Sequence, residues 1–167
     1  YKGLEKIQNL DYDFRDLIEH FPAFTGHMTL SRFLGLYELY KKTLGVAGHI
    51  GEVGVYKGAS FLFFTKLVRI FEAESLTQVH GFDWFKGTGS DVIETKVGKG
   101  TYKESYERLK ALVEAQNLAN IAFVHKMDVR KELNGFLNKY KHLQFKLLFL
   151  DAGMYNVVKT VLPLLWE

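Results

Sequence analysis

Four acidic residues carry the candidate chemistry of this chain: Glu52 in HIGEVGVYKGAS, Asp83 in HGFDWFKG, Asp128 in HKMDVRKEL and Asp151 in LFLDAGMY. Glu52 is followed by Gly54, Tyr56, Gly58 and Ser60, a glycine turn. A dinucleotide site needs G-x-G-x-x-G so that backbone can touch a pyrophosphate at a helix N-terminus, whereas three residues separate Gly54 from Gly58. Neither this loop nor Gly98-Lys99-Gly100-Thr101 supplies the phosphate-loop pattern G-x-x-x-x-G-K-[ST]. Glu52 would also face a phosphate with a like charge. A carboxylate beside a glycine turn suits a cationic or hydroxyl-rich ligand better, and Asp83 can accept from a pair of hydroxyls.

The elements that must position these residues follow from hydrophobic periodicity. Leu30, Phe33, Leu34, Tyr37 and Leu44 recur at helical spacing between Met28 and Leu44, before Gly45, and a shorter helix is expected from Leu4 to Phe21, ending near Pro22. Four β/α units then succeed one another: strands at 49–55, 78–84, 121–124 and 145–150, and helices at 59–72, 102–116, 131–140 and 156–166. The strands are largely apolar, as a parallel sheet covered on both faces requires. The expected fold class is α/β, a Rossmann-like doubly wound parallel sheet with right-handed crossovers, with residues 1–45 as an N-terminal helical cap and 46–167 as the ligand-binding domain. In such sheets ligands bind at the carboxyl ends of the strands, where strand order reverses. The four acids lie at those ends.

Composition narrows the function class. The chain has 167 residues, 22 Lys+Arg against 19 Asp+Glu, 47% hydrophobic residues and no Cys. One domain with a real core is within reach of this length, and disorder or a disulfide scaffold is excluded. A formal charge of +3, not gathered into a stripe, argues against a nucleic-acid partner. No apolar run approaches the roughly 18–20 residues of a membrane span, so no membrane partner is expected. Zero cysteines exclude thiolate chemistry and fit a cytoplasmic protein. The histidines, at 20, 27, 49, 80, 125 and 142, show no metal-site spacing. His49 and His80 are read as structural, at strand starts, and His27, before the helix expected to cover the ligand, is a candidate base.

The runs HIGEVGVYKGAS, HGFDWFKG and LFLDAGMY together resemble class I S-adenosylmethionine (SAM)-dependent methyltransferases. They are most similar to the macrocin O-methyltransferase family, which methylates sugar hydroxyls with a divalent metal and shows VEVGVxxGGS, GFDSFEG and LDxDLY patterns at these points. The first loop also resembles the catechol and caffeoyl-CoA O-methyltransferases. The resemblance spans the chain from about residue 28 onward. It implies SAM as cofactor and a small hydroxylated acceptor, a sugar or glycoside. It implies further that Glu52, Gly54, Tyr56, Gly58 and Ser60 line the methionine side of the pocket and Asp83 holds the ribose hydroxyls, with Trp84 and Phe85 flanking adenine or ribose. Asp128 matches a position near adenine, with an N-cap for the following helix as its alternative reading. Asp151 matches an acid that ligates the cation in metal-dependent branches.

Two departures bear on that last role. Gly153 stands where the family has its second acid, and the acidic pair expected after a fifth strand has no counterpart. One carboxylate is a poor site for Mg²⁺, which wants six oxygen ligands. Two other readings stay open: a catalytically silent SAM-fold scaffold, and an NAD-type oxidoreductase or epimerase. A homo-oligomer is also allowed. Because this fold ordinarily has seven strands, the C-terminal strands are expected to be missing from the chain, leaving the fourth strand at an exposed edge.

Overall fold

In the computed structural model, residues 3–89 and 98–166 are described. The chain divides into two units, Tyr1–Leu39 and Tyr40–Glu167. The first holds three short helices, α1 (Leu4–Gln8), α2 (Phe14–Glu19) and α3 (Phe21–Phe24), and most of α4 (His27–Lys41). The single helix expected over 4–21 is therefore broken. Asp11 adopts a left-handed φ of 40°, the Asp13 carboxylate caps α2 by accepting from the Asp16 N–H, and Pro22 opens α3 instead of closing what precedes it, as suits a residue with no N–H to leave unpaired. The face expected on α4 also shifts. The helix ends at Lys41, short of the expected Leu44, and Leu34 is exposed while Leu36 and Tyr40 are buried.

The second unit continues as β1 (His49–Val53), α5 (Ala59–Phe71), β2 (Val79–Asp83), α6 (Tyr106–Ala115), β3 (Ala122–Lys126), α7 (Val129–Lys139), β4 (Phe145–Leu150) and α8 (Tyr155–Trp166). The described strands form one sheet in the order β3-β2-β1-β4, and every pairing is parallel. The doubly wound α/β expectation holds. The chain steps outward from β1 to β3 and then returns to the other side of β1, so strand order reverses between β1 and β4.

Side-chain alternation along the strands separates two apolar layers. Val53 and Phe82 join Val129 and Leu133 of α7 and Val157, Val161 and Leu165 of α8 in one buried cluster. On the opposite face α5 lies down with Phe61, Phe64, Leu67 and Val68 buried, the Phe64 ring meeting that of Phe149. Each such side chain contributes about 1.5–3 kcal/mol on burial. Central β1 and β2 are buried almost throughout, whereas β3 and β4, the flanking strands, are half-covered. Helix starts are capped as their sequences require: Ser105 accepts from the Arg108 N–H at α6 and Asp128 from the Arg130 N–H at α7.

At the N-terminal ends of the strands lies a polar cluster. The side chain of Lys146, the one charged residue of β4, is wholly buried and ion-paired to Glu72. Glu72 also accepts from the Tyr40 hydroxyl at 2.7 Å and the Thr77 hydroxyl at 2.8 Å. Burial raises the Glu72 carboxyl, but these three hydrogen bonds outweigh it and hold the group below its ordinary value. His80 lies edge to edge with His125 near the carboxyl end of β3, their rings parallel and ring nitrogens 3.0 Å apart, and His49 accepts from the Gln78 N–H through Nδ1.

Candidate functional site

The topological reversal puts the candidate site at the carboxyl ends of β1 and β4, beside β2. Val53 ends β1 by accepting from the Asp151 N–H at 2.9 Å. Gly54 follows with φ +91°, and a Cβ there would stand 2.5 Å from the Asp151 carbonyl oxygen, so only glycine lets the two strand ends meet. Gly58 has φ +83°, and its Cβ would overlap Leu109 of α6. Both glycines are thus required by the protein's own packing.

Asp83, last residue of β2, is the hub of this edge. Its Oδ2 accepts from the Tyr56 N–H at 2.9 Å and its Oδ1 from the Phe85 N–H at 2.7 Å. One carboxylate thereby joins the loop after β1 to the turn after β2. Tyr56 and Phe85 both sit in the left-handed region, φ 52° and 61°, which L residues keep only where surroundings hold them. Each carboxylate oxygen has further lone pairs, so the same group can accept from ligand hydroxyls.

The other expected residues distribute around this hub. Glu52 projects toward α5, is 0% exposed, and its Oε1 accepts from the Ser60 hydroxyl at 2.8 Å; Ser60 is itself buried in the first turn of α5. That pair lies beneath the glycine loop. Helix α5 begins at Gly58 without a side-chain cap, leaving its first N–H groups as an anion-favouring end. Trp84 is half-buried, with the Arg130 guanidinium 5.7 Å from its ring centroid, while the Phe85 ring is buried against Tyr106. Asp128 caps α7 and pairs with Arg130 at 3.2 Å. Burial raises the Asp128 carboxyl, but its hydrogen bonds with Arg130 outweigh that and hold it below the usual range.

Asp151 is exposed at the end of β4, next to Gly54. His27 is exposed and opens α4 in the N-terminal unit. The Gly/Lys-rich stretch expected over 86–100 lies partly outside the described residues. Tyr102, expected to open the helix over 102–116, instead precedes α6, and its ring meets Tyr56 edge-on with centroids 5.5 Å apart.

Residues 52–167 match the family described as Methyltransferase domain. The chain belongs to that family. Among solved structures, the methyltransferase domain is similar to the crystal structure of CalS11, a calicheamicin methyltransferase: 22% identical, TM-score 0.82, covering 97% of this chain and 71% of that one. It is also similar to apo CalS11, described as a TDP-rhamnose 3'-O-methyltransferase in calicheamicin biosynthesis, with 22% identity, TM-score 0.73, and coverage of 97% and 70%. At this identity the likeness establishes a shared fold. No curated protein matches the chain. Among the described residues no helix is long and apolar enough to cross a membrane.

The residues at this edge fit SAM. Asp83 offers a fixed carboxylate that can accept from ligand hydroxyls, and the uncapped start of α5 suits an anionic group. The fit to Mg²⁺ is poor, because among the described residues no group of three His, Asp or Glu gathers as ligands would, and Asp151 stands as a single carboxylate.

Proposed function

We propose that this methyltransferase domain is a SAM-dependent O-methyltransferase acting on a hydroxyl of a small acceptor, a sugar or glycoside, in a cytoplasmic setting. The observation that carries the reading is Asp83, held by the Tyr56 and Phe85 N–H groups at the carboxyl end of β2, beside the glycine loop of β1. SAM, when bound, supplies a methyl group on a sulfonium, an already activated donor. The chain's own residues have then mainly to bind and orient.

In this reading Asp83 accepts from the ribose hydroxyls and Trp84 flanks the adenosine. Gly54, Tyr56 and Gly58 shape the methionine side, supported from below by Glu52 and Ser60. Asp128 contributes near adenine while remaining the cap of α7. Asp151, at the end of β4, accepts the proton of the acceptor hydroxyl, a general-base role. No step is assigned to a metal or to His27. The acceptor class rests on the resemblance to sugar O-methyltransferases and on the description of CalS11.

The experiment is methyl transfer from SAM to a panel of sugars, glycosides and nucleotide sugars, read by mass spectrometry. Methylated product that disappears in Asp151→Ala supports the reading. Transfer confined to phenols, or absent from all acceptors while SAM binds, refutes the sugar acceptor.

A further inference from the structure

Three aromatic residues at the ligand edge hold conformations that ordinary side chains avoid: Tyr56, Phe85 and Tyr102 have φ of 52°, 61° and 63°. For two of them the restraint is the Asp83 carboxylate, which takes both N–H groups. Tyr102 is fastened from another side. The Thr88 N–H donates to the Thr101 carbonyl at 2.8 Å and the Gly100 N–H to the Thr88 carbonyl at 2.9 Å. The hydroxyls of Thr88 and Thr101 both donate to the Gly98 carbonyl. At Gly87, φ +75°, a Cβ would stand 2.5 Å from the Thr101 carbonyl oxygen, so these two backbone segments touch.

All of this fastening ends in a tyrosine that is 57% exposed. Burial does not account for it. What the fastening achieves is a ring contact: Tyr102 meets Tyr56 at an interplanar angle of 89°, the edge-to-face arrangement favoured by aromatic quadrupoles. Tyr56 lies between Gly54 and Gly58, in the loop whose backbone Asp83 anchors.

We propose that Tyr102 is a positioning residue for the cofactor pocket, its ring fixing that of Tyr56 and thereby the loop that joins β1 to α5. The inference rests on the methyltransferase reading above and assigns to the segment after β2 a role in cofactor affinity. Tyr102 acts through Tyr56 and need not touch the ligand.

Calorimetric titration with S-adenosylhomocysteine, well below the unfolding transition, tests it. An edge-to-face pair is worth about 0.5–1.5 kcal/mol, so Tyr102→Ala should bind about two- to twelvefold more weakly. Tyr102→Phe keeps the ring and should bind within about twofold of the wild type. Gly87→Ala, which displaces the Thr101 backbone, should weaken binding in the same direction. An affinity of Tyr102→Ala within twofold of the wild type overturns the inference, and so does a Tyr102→Phe as weak as Tyr102→Ala. A wild-type protein that binds no S-adenosylhomocysteine refutes the cofactor reading itself, a separate and recognisable failure.

Discussion

At the scale of single residues, Asp83 has two tasks that mutation can separate. As a clamp it satisfies the Tyr56 and Phe85 N–H groups, and an orphaned N–H costs about 1–3 kcal/mol. As a ligand group it would accept from ribose hydroxyls, where hydrogen bonds to a charged partner are worth about 1.5–3 kcal/mol each. Asp83→Ala should therefore lower stability and reduce S-adenosylhomocysteine affinity by about a hundredfold, the first read by denaturant unfolding and the second by calorimetry. A variant that loses stability but keeps its affinity would leave Asp83 a clamp only. Gly58 is a residue-scale case of a different kind. Its φ of +83° and the overlap of a Cβ with Leu109 predict that Gly58→Ala costs about 1–3 kcal/mol. Adding Leu109→Ala to that variant removes the overlap, so the double variant should be less destabilised than the two single costs added together.

At the scale of elements, the cluster of Lys146, Glu72, Tyr40 and Thr77 ties the end of α4 and the end of α5 to β4. A buried pair broken on one side leaves an uncompensated charge, at a cost of about 3–5 kcal/mol. Glu72→Leu alone should therefore be severe, whereas Glu72→Leu with Lys146→Met should recover much of the loss. Denaturant midpoints of the two variants check this, and a double variant no better than the single would contradict it. The strand and helix order was legible in the sequence because Val, Ile, Phe and Leu recur with clear periods and the acids fall at strand ends. The N-terminal helices were not, since breaks at Asp11 and Asp13 depend on local backbone conformation that apolar spacing does not report. The face of α4 was misjudged for a related reason: the Tyr40 hydroxyl is drawn inside by the Glu72 carboxylate, 32 residues away. The strained Tyr56, Phe85 and Tyr102 left no sequence signal, because left-handed backbone is ordinarily announced by Gly or Asn. Among the candidate site residues, Asp83 was singled out by its place at a strand end, while its hold on the Tyr56 and Phe85 N–H groups and the burial of Glu52 against Ser60 emerged only from the packing.

At the scale of the whole molecule, the paired imidazoles of His80 and His125 link stability to pH. Burial first, then the neighbouring His125, His49 and His142, pushes the His80 imidazole down to about 3, and burial pushes His125 down to about 4. Their ordinary value is 6.5. As pH falls below that value the unfolded chain takes up protons that the folded chain refuses, so stability is lost on acidification and retained above it. For His80 alone the loss between pH 7 and 5 is about 2 kcal/mol at most. The melting temperature should fall by several degrees over that interval, and His80→Phe should flatten the slope. An unchanged slope in that variant would contradict the assignment.

The central claim is that the loop after β1, Asp83 and the ends of β1 and β4 form a SAM pocket. Titration of the folded chain with S-adenosylhomocysteine, followed by heat and by melting temperature, tests it most directly. The account predicts saturable binding at one site, a rise in melting temperature, and no comparable response to NADH. A folded protein giving neither heat nor a melting shift with S-adenosylhomocysteine, or one that responds to NADH instead, would contradict it.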